Sequence, residues 1–166
     1  MEVAQITSHH EALKPIAWLI GRWKSLKAEG SYPTIKPFEY CEEILFESLG
    51  QPLINYTSRT WHLGTSNPMH LESGFLRIKP GTNDVALMVA HNFGLTTLEE
   101  GTVCKNEIKC KSTSMSRMSF AKEPAVVSIE RLFALTEDGN LEITVWMETN
   151  KVPLTQHLKA LYQKCE

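Results

Sequence analysis

The stretch Leu141-Glu142-Ile143-Thr144-Val145-Trp146-Met147 decides the fold. Leu141, Ile143, Val145 and Met147 share one face and Glu142, Thr144 and Trp146 the other, the period of a β-strand with one side turned to a core. Met147 is therefore expected to point inward. Just upstream, Glu137-Asp138-Gly139-Asn140 supplies a hairpin turn, and before it Val127, Ile129, Phe133 and Leu135 share a face of the preceding strand. Arg131 falls on that same face, so it is either an interior charge in need of a partner or the mark of a bulge.

The same texture extends back to Trp23. Runs rich in branched and aromatic residues recur about every ten positions, separated by Gly, Pro, Asn and Asp, as in antiparallel strands rather than βαβ units. Ala86-Leu87-Met88-Val89-Ala90 is apolar on both faces, which predicts a strand packed inside and covered outside. Ser8-His9-His10-Glu11 has the form of a capping box and predicts a short helical segment through Ala12, Leu13 and Lys14, which Pro15 limits. Many short strands and one small helix predict an all-β fold: a closed antiparallel up-and-down β-barrel, an architecture that leaves no exposed sheet edge. Gly21-Arg22-Trp23, directly before the first strand, has the form found at the start of lipocalin-like and fatty-acid-binding-like barrels, with Trp23 closing the barrel end rather than touching a ligand.

At 166 residues the chain is most simply one domain, large enough to bury its own core. Its formal charge of −2 supplies no electrostatic footprint for nucleic acid or an anionic membrane, and neither partner is expected. No apolar run approaches a membrane span, and Met1–Thr7 has neither the basic start nor the apolar stretch of a secretory signal, so a cytoplasmic location is expected. Cys41, Cys104, Cys110 and Cys165 lack CxxC or other zinc-ligand spacing and read as reduced thiols. A nucleophile elbow, a phosphate loop and a zinc-protease helix are all missing from the sequence.

Six histidines compete for a chemical role: His9, His10, His62, His70, His91 and His157. His9 and His10 are adjacent, project differently and read as solvated side chains; His62 reads as a surface residue at a strand-to-loop edge. His157 follows the proline-punctuated turn Asn150-Lys151-Val152-Pro153-Leu154. A histidine held at the end of a stiff strand presents one ring nitrogen with little rotamer freedom to lose, as an axial metal ligand must. By itself such a residue is more often structural. Strict alternation puts His157 with Lys159 and Leu161, opposite Leu158, Ala160 and Tyr162, an awkward pattern for an apolar interior; a bulge after the turn would separate His157 from the following register.

Trp18-Leu19-Ile20-Gly21-Arg22-Trp23, Gly30-Ser31-Tyr32-Pro33-Thr34-Ile35-Lys36-Pro37-Phe38, Pro68-Met69-His70, Glu72-Ser73-Gly74-Phe75, Ser119-Phe120-Ala121-Lys122-Glu123-Pro124 and the Pro153 to His157 turn together resemble the nitrobindin family. Within it, the chain is most similar to the barrel domain fused to a THAP-type zinc finger in some animal proteins, over about residues 12–164; residues 1–11 are left as an extension, the barrel domain runs over 12–166, and the zinc finger is absent. Many nitrobindins carry GxWxGxG, of which this chain keeps the first glycine and the tryptophan. The resemblance implies haem b held through His157 as proximal iron ligand, with Thr34, Met69, His70, His91 and Met147 about the haem in an apolar pocket. It further implies a ferric protein that isomerises peroxynitrite to nitrate and reversibly binds nitric oxide. The rival reading is a haem-free barrel carrying a fatty acid or similar apolar molecule, weakened by the lack of an obvious basic cluster for a carboxylate. A third, an interaction module that has lost its haem pocket, is opposed by the presence of His157.

Overall fold

The computed structural model describes residues 9–165. Among them ten strands run β1 (Gly21–Tyr32), β2 (Ile35–Ser48), β3 (Leu53–His62), β4 (Pro68–Ile78), β5 (Asp84–His91), β6 (Leu95–Cys104), β7 (Glu107–Arg117), β8 (Val126–Leu135), β9 (Leu141–Thr149) and β10 (Val152–Cys165). Each pairs antiparallel with its sequence neighbours, and β1 pairs with β10 to close the barrel. This is the expected up-and-down barrel. The hairpin after β8 is also where the sequence puts it, with Gly139 in the left-handed region at φ 78 and the Asn140 N–H donating to the Thr136 hydroxyl.

The N-terminal helix differs from expectation. Ser8 lies outside the described residues; the helix spans Glu11–Leu19, continues through Pro15, and is a 310-helix capped by His10, whose Nδ1 accepts from the Ala12 N–H at 3.1 Å. Its apolar residues explain the form. Leu13, Ile16 and Leu19 recur every third position, so three residues per turn brings all of them to one face, and all are fully buried. Trp23 is buried beside them and donates its indole N–H to the Leu19 carbonyl at 2.7 Å, tying the helix to the start of β1. That end of the barrel is apolar core, with Ile44, Phe46, Tyr56, Phe133 and Leu141 in the same cluster.

Two inward readings need correction. Val127 is 49% exposed, because the β8–β9 register shifts between Val126 and Ser128 and leaves Val127 as the odd residue. On β5, Val85, Leu87 and Val89 are buried, but the other face is not covered: Ala90 is exposed and Met88 half-buried, beside exposed Phe75 and Leu98 on the flanking strands.

Candidate functional site

The end of the barrel away from the helix holds a cavity of about 270 Å³ bounded by the β1–β2, β3–β4 and β9–β10 sides of the mouth. His157 stands at its rim. Its Nδ1 lies 3.1 Å from the Ser31 carbonyl oxygen, which can only accept, so Nδ1 carries the hydrogen and the lone pair resides on Nε2. Tyr32 and Phe38 pack edge-on against the ring, with centroids 5.2 and 6.4 Å away. Burial holds this imidazole below the usual histidine range, against the opposing hydrogen bond to Ser31, so the ring is neutral and its free nitrogen is available as a ligand.

Main-chain register explains how the ring reaches the cavity. On β10, Gln156 pairs with Trp146 and Leu158 with Val145, so His157 is the extra residue of a bulge. Two consecutive side chains, His157 and Leu158, thereby line one cavity that simple alternation would allow only one of them to reach. The same device recurs across the mouth. The β3–β4 register shifts between Arg59/Leu71 and Trp61/Pro68, and consecutive Met69 and His70 both line the cavity there.

Below this rim a charged cluster stands among apolar lining that includes Ile44 and Ile143. Of the two readings open for Arg131 on β8, interior charge or mark of a bulge, the structure has the interior charge. Its Nε donates to Glu99 at 2.8 Å, and its two terminal nitrogens donate to the two oxygens of Glu72 at 3.0 Å each. Tyr56 donates its hydroxyl to Glu72 at 2.7 Å. Burial alone would push the Glu72 carboxyl up, but Arg131, with the His70 and His91 rings beside it, holds it well below the usual carboxylate range. A second carboxylate, Glu42, accepts from Ser58 at 2.5 Å and from Tyr162 at 2.6 Å, and burial pushes it up. A fatty-acid carboxylate finds no unpaired permanent cation among the described residues lining the cavity, since Arg131 is already held by two carboxylates.

Of the residues singled out from sequence, His157, Met69 and His70 line the cavity, and His91 is buried at the end of β5 with its Nδ1 3.1 Å from His70 Nε2. Thr34 is exposed at the tip of the β1–β2 hairpin, where its neighbour Ile35 lines the cavity instead. Met147 is half-buried on β9 and outside the lining, which Ile143 and Val145 of that strand provide; its carbonyl accepts from the Tyr32 hydroxyl at 3.1 Å. Glu42, Glu72, Glu99, Tyr56 and Thr97 were missed. The available signal was His70-Leu71-Glu72, two titratable residues at strand period, but the apolar residues beside them, Leu71 and Phe75, invite the opposite choice of inner face. Those two are exposed, at 38% and 44%.

Residues 12–164 match a family model described as "THAP4-like, heme-binding beta-barrel domain". The chain is 45% identical over 153 residues to the human protein named peroxynitrite isomerase THAP4, an alignment covering 92% of this chain and 26% of that one, so it spans about a quarter of the length of such animal relatives. It is 40% identical over 157 residues to an Arabidopsis thaliana protein named peroxynitrite isomerase Rv2717c, covering 93% of this chain and 90% of the relative. The crystal structure of Rv2717c from M. tuberculosis superposes with a TM-score of 0.85 at 32% identity, covering 96% of this chain and all of that one.

Proposed function

The chain belongs to the THAP4-like, haem-binding β-barrel family, and from that membership we propose that it is a haem-dependent peroxynitrite isomerase that binds haem b through His157 and also binds nitric oxide reversibly. One observation carries the reading: a bulge turns a neutral imidazole into the cavity with one nitrogen anchored on Ser31 and the other free. Iron-ligating histidines are oriented in this way by a hydrogen bond on the second nitrogen. The donor set around it fits a porphyrin, since Ile35, Phe38, Val145 and Leu158 offer apolar wall on the same side of the cavity as His157.

A bound haem would be held by His157 and would supply ferric Lewis-acid chemistry. The chain's own residues do the rest. Ser31 fixes the tautomer and direction of His157, and the Tyr32 and Phe38 rings restrict its rotation. Phe38, Val145 and Leu158 would keep water away from the cavity wall around the His157 ring.

The test is the visible spectrum of the purified protein with and without haemin, followed by peroxynitrite decay and tyrosine nitration for haem-loaded protein, apo protein and an equal amount of free haemin. A Soret band that changes in a folded His157→Ala variant, together with faster decay and less nitration for loaded protein, is expected. An unchanged Soret band in folded His157→Ala overturns the ligand assignment. Loaded protein no better than apo protein overturns the isomerase reading.

A further inference from the structure

We propose that His70, Glu72 and His91 form a second site, for a divalent first-row metal ion of the zinc class, on the β4–β5 wall of the cavity. The site stands on its own residues and does not depend on haem binding. His70 and Glu72 are two apart on β4 and share its inner face, while His91 is the direct cross-strand partner of Glu72 on β5. Sheet register alone thus gathers two imidazoles and a carboxylate.

The three facing atoms form a nearly equilateral triangle. His70 Nε2 is 3.1 Å from His91 Nδ1 and 3.1 Å from Glu72 Oε1, and His91 Nδ1 is 3.2 Å from the same oxygen. An ion about 2.1 Å from each of its ligands holds them about 3.0 Å apart in octahedral geometry and about 3.4 Å apart in tetrahedral geometry. The observed spacing lies between, so an ion would enter with movements of a few tenths of an ångström.

Proton accounting points the same way. The Thr97 hydroxyl spends its single hydrogen on Glu99 Oε1 at 2.9 Å, and so accepts from His91 Nε2–H at 3.4 Å. That leaves the lone pair of His91 on Nδ1, facing Glu72 Oε1, which is also an acceptor. His70 Nε2 has at most one hydrogen for both. Three ligating atoms therefore converge with one proton between them, an arrangement that a cation satisfies. The chain His91, Thr97, Glu99 is also the kind of outer hydrogen bonding that orients metal-binding histidines. Phe93, at the β5–β6 turn, packs against both imidazoles with centroids 5.2 and 5.4 Å away and limits their rotation.

Charge permits it as well. Two carboxylates, Glu72 and Glu99, share the single guanidinium of Arg131, so the trio keeps a net negative charge for the ion. The His70 side chain is 36% exposed and lines the cavity, so the remaining coordination position opens toward it, as in zinc sites with three protein ligands and an exchangeable water.

The experiment titrates Zn2+ into the full chain against a chromophoric chelator, with Co2+ as a spectroscopic substitute, in haem-free and haem-loaded protein. One equivalent is expected, with visible Co2+ absorption distinct from the Soret band. His70→Ala, at the more exposed ligand and therefore the variant expected to fold, should weaken binding by about 100-fold or more, and Thr97→Val by about 10-fold to 100-fold. His157→Ala should leave Zn2+ affinity within about twofold while losing the haem ligand, which separates the two readings. The proposal is overturned by unchanged affinity in folded His70→Ala, by loss of Zn2+ binding in His157→Ala, or by no binding to the wild-type chain, in which case a second proton on His91 closes the triangle.

Discussion

Replacing Arg131 with methionine tests the charged floor of the cavity most directly. The side chain is 5% exposed and makes three charge-assisted hydrogen bonds to two carboxylates, one of them, Glu99, with its side chain fully buried. Methionine fills much of the volume but leaves two buried carboxylates without their cation, a change that costs about 3–5 kcal/mol when one partner of a buried ion pair is removed. Glu72 keeps the Tyr56 hydroxyl and its histidine neighbours and Glu99 keeps Thr97, so the loss should not exceed that range. The pH dependence has a definite sign. In the wild-type protein the folded pKa of Glu72 is depressed, so its contribution is present above the unfolded value, near 4.5, and is lost as pH falls through the lower folded value. Without Arg131, burial dominates and raises the folded pKa above the unfolded one. Stability is then lost as pH rises through it, and the variant's deficit relative to wild type should shrink by about 1 kcal/mol or more between pH ~7 and pH ~5. Urea unfolding at both pH values measures this. A deficit below about 1 kcal/mol at pH ~7, or one that grows toward acid, would refute the buried ion-pair account.

Gly74→Ala should destabilise the barrel by about 1–3 kcal/mol or more, because a Cβ there would lie 1.7 Å from the Met88 carbonyl oxygen, which is backbone and cannot swing aside; thermal unfolding reads this as a fall of several degrees, and an unchanged midpoint contradicts the close β4–β5 approach. Gly30→Ala places a Cβ 2.2 Å from the Phe38 ring, which packs on His157, so its effect should appear in the haem spectrum more than in stability; equal spectra for variant and wild type would count against the packing role of Phe38. Thiol alkylation of the native protein should modify exposed Cys104 first and Cys110 last, since burial pushes the Cys110 thiol up to about 12 and shields it, and mass spectrometry of the time course decides the order.

The haem association proposed at His157 and the divalent-metal association proposed at the β4–β5 wall would use different donors in one cavity, so occupancy of one is expected to be felt at the other through shared volume and charge. Zn2+ affinities compared between haem-free and haem-loaded chains would measure that coupling, which thermodynamic linkage makes reciprocal.

The sequence by itself determined the barrel. Period-two alternation in Leu141–Met147, the Glu137–Asn140 turn and the closely spaced breakers demand short antiparallel strands, and a chain of such strands protects its edges best by closing. It also marked Arg131 as either an interior charge or a bulge, and by family resemblance it singled out His157. What it could not determine was which face of a strand is inside where both carry apolar residues. On β4, Leu71 and Phe75 turn outward and His70 and Glu72 inward, against the hydrophobic reading, because Arg131 arriving from β8 across the barrel gives Glu72 a bidentate partner there. Alternation around His157 raises a bulge as one solution but does not fix it. His157 and Met69 reach the cavity because one extra residue in β10 and a register shift in β4 reverse the local parity at the mouth. Both decisions belong to the closed tertiary structure: periodicity specifies that two faces exist, and only the partners brought across the interior specify which of them is buried.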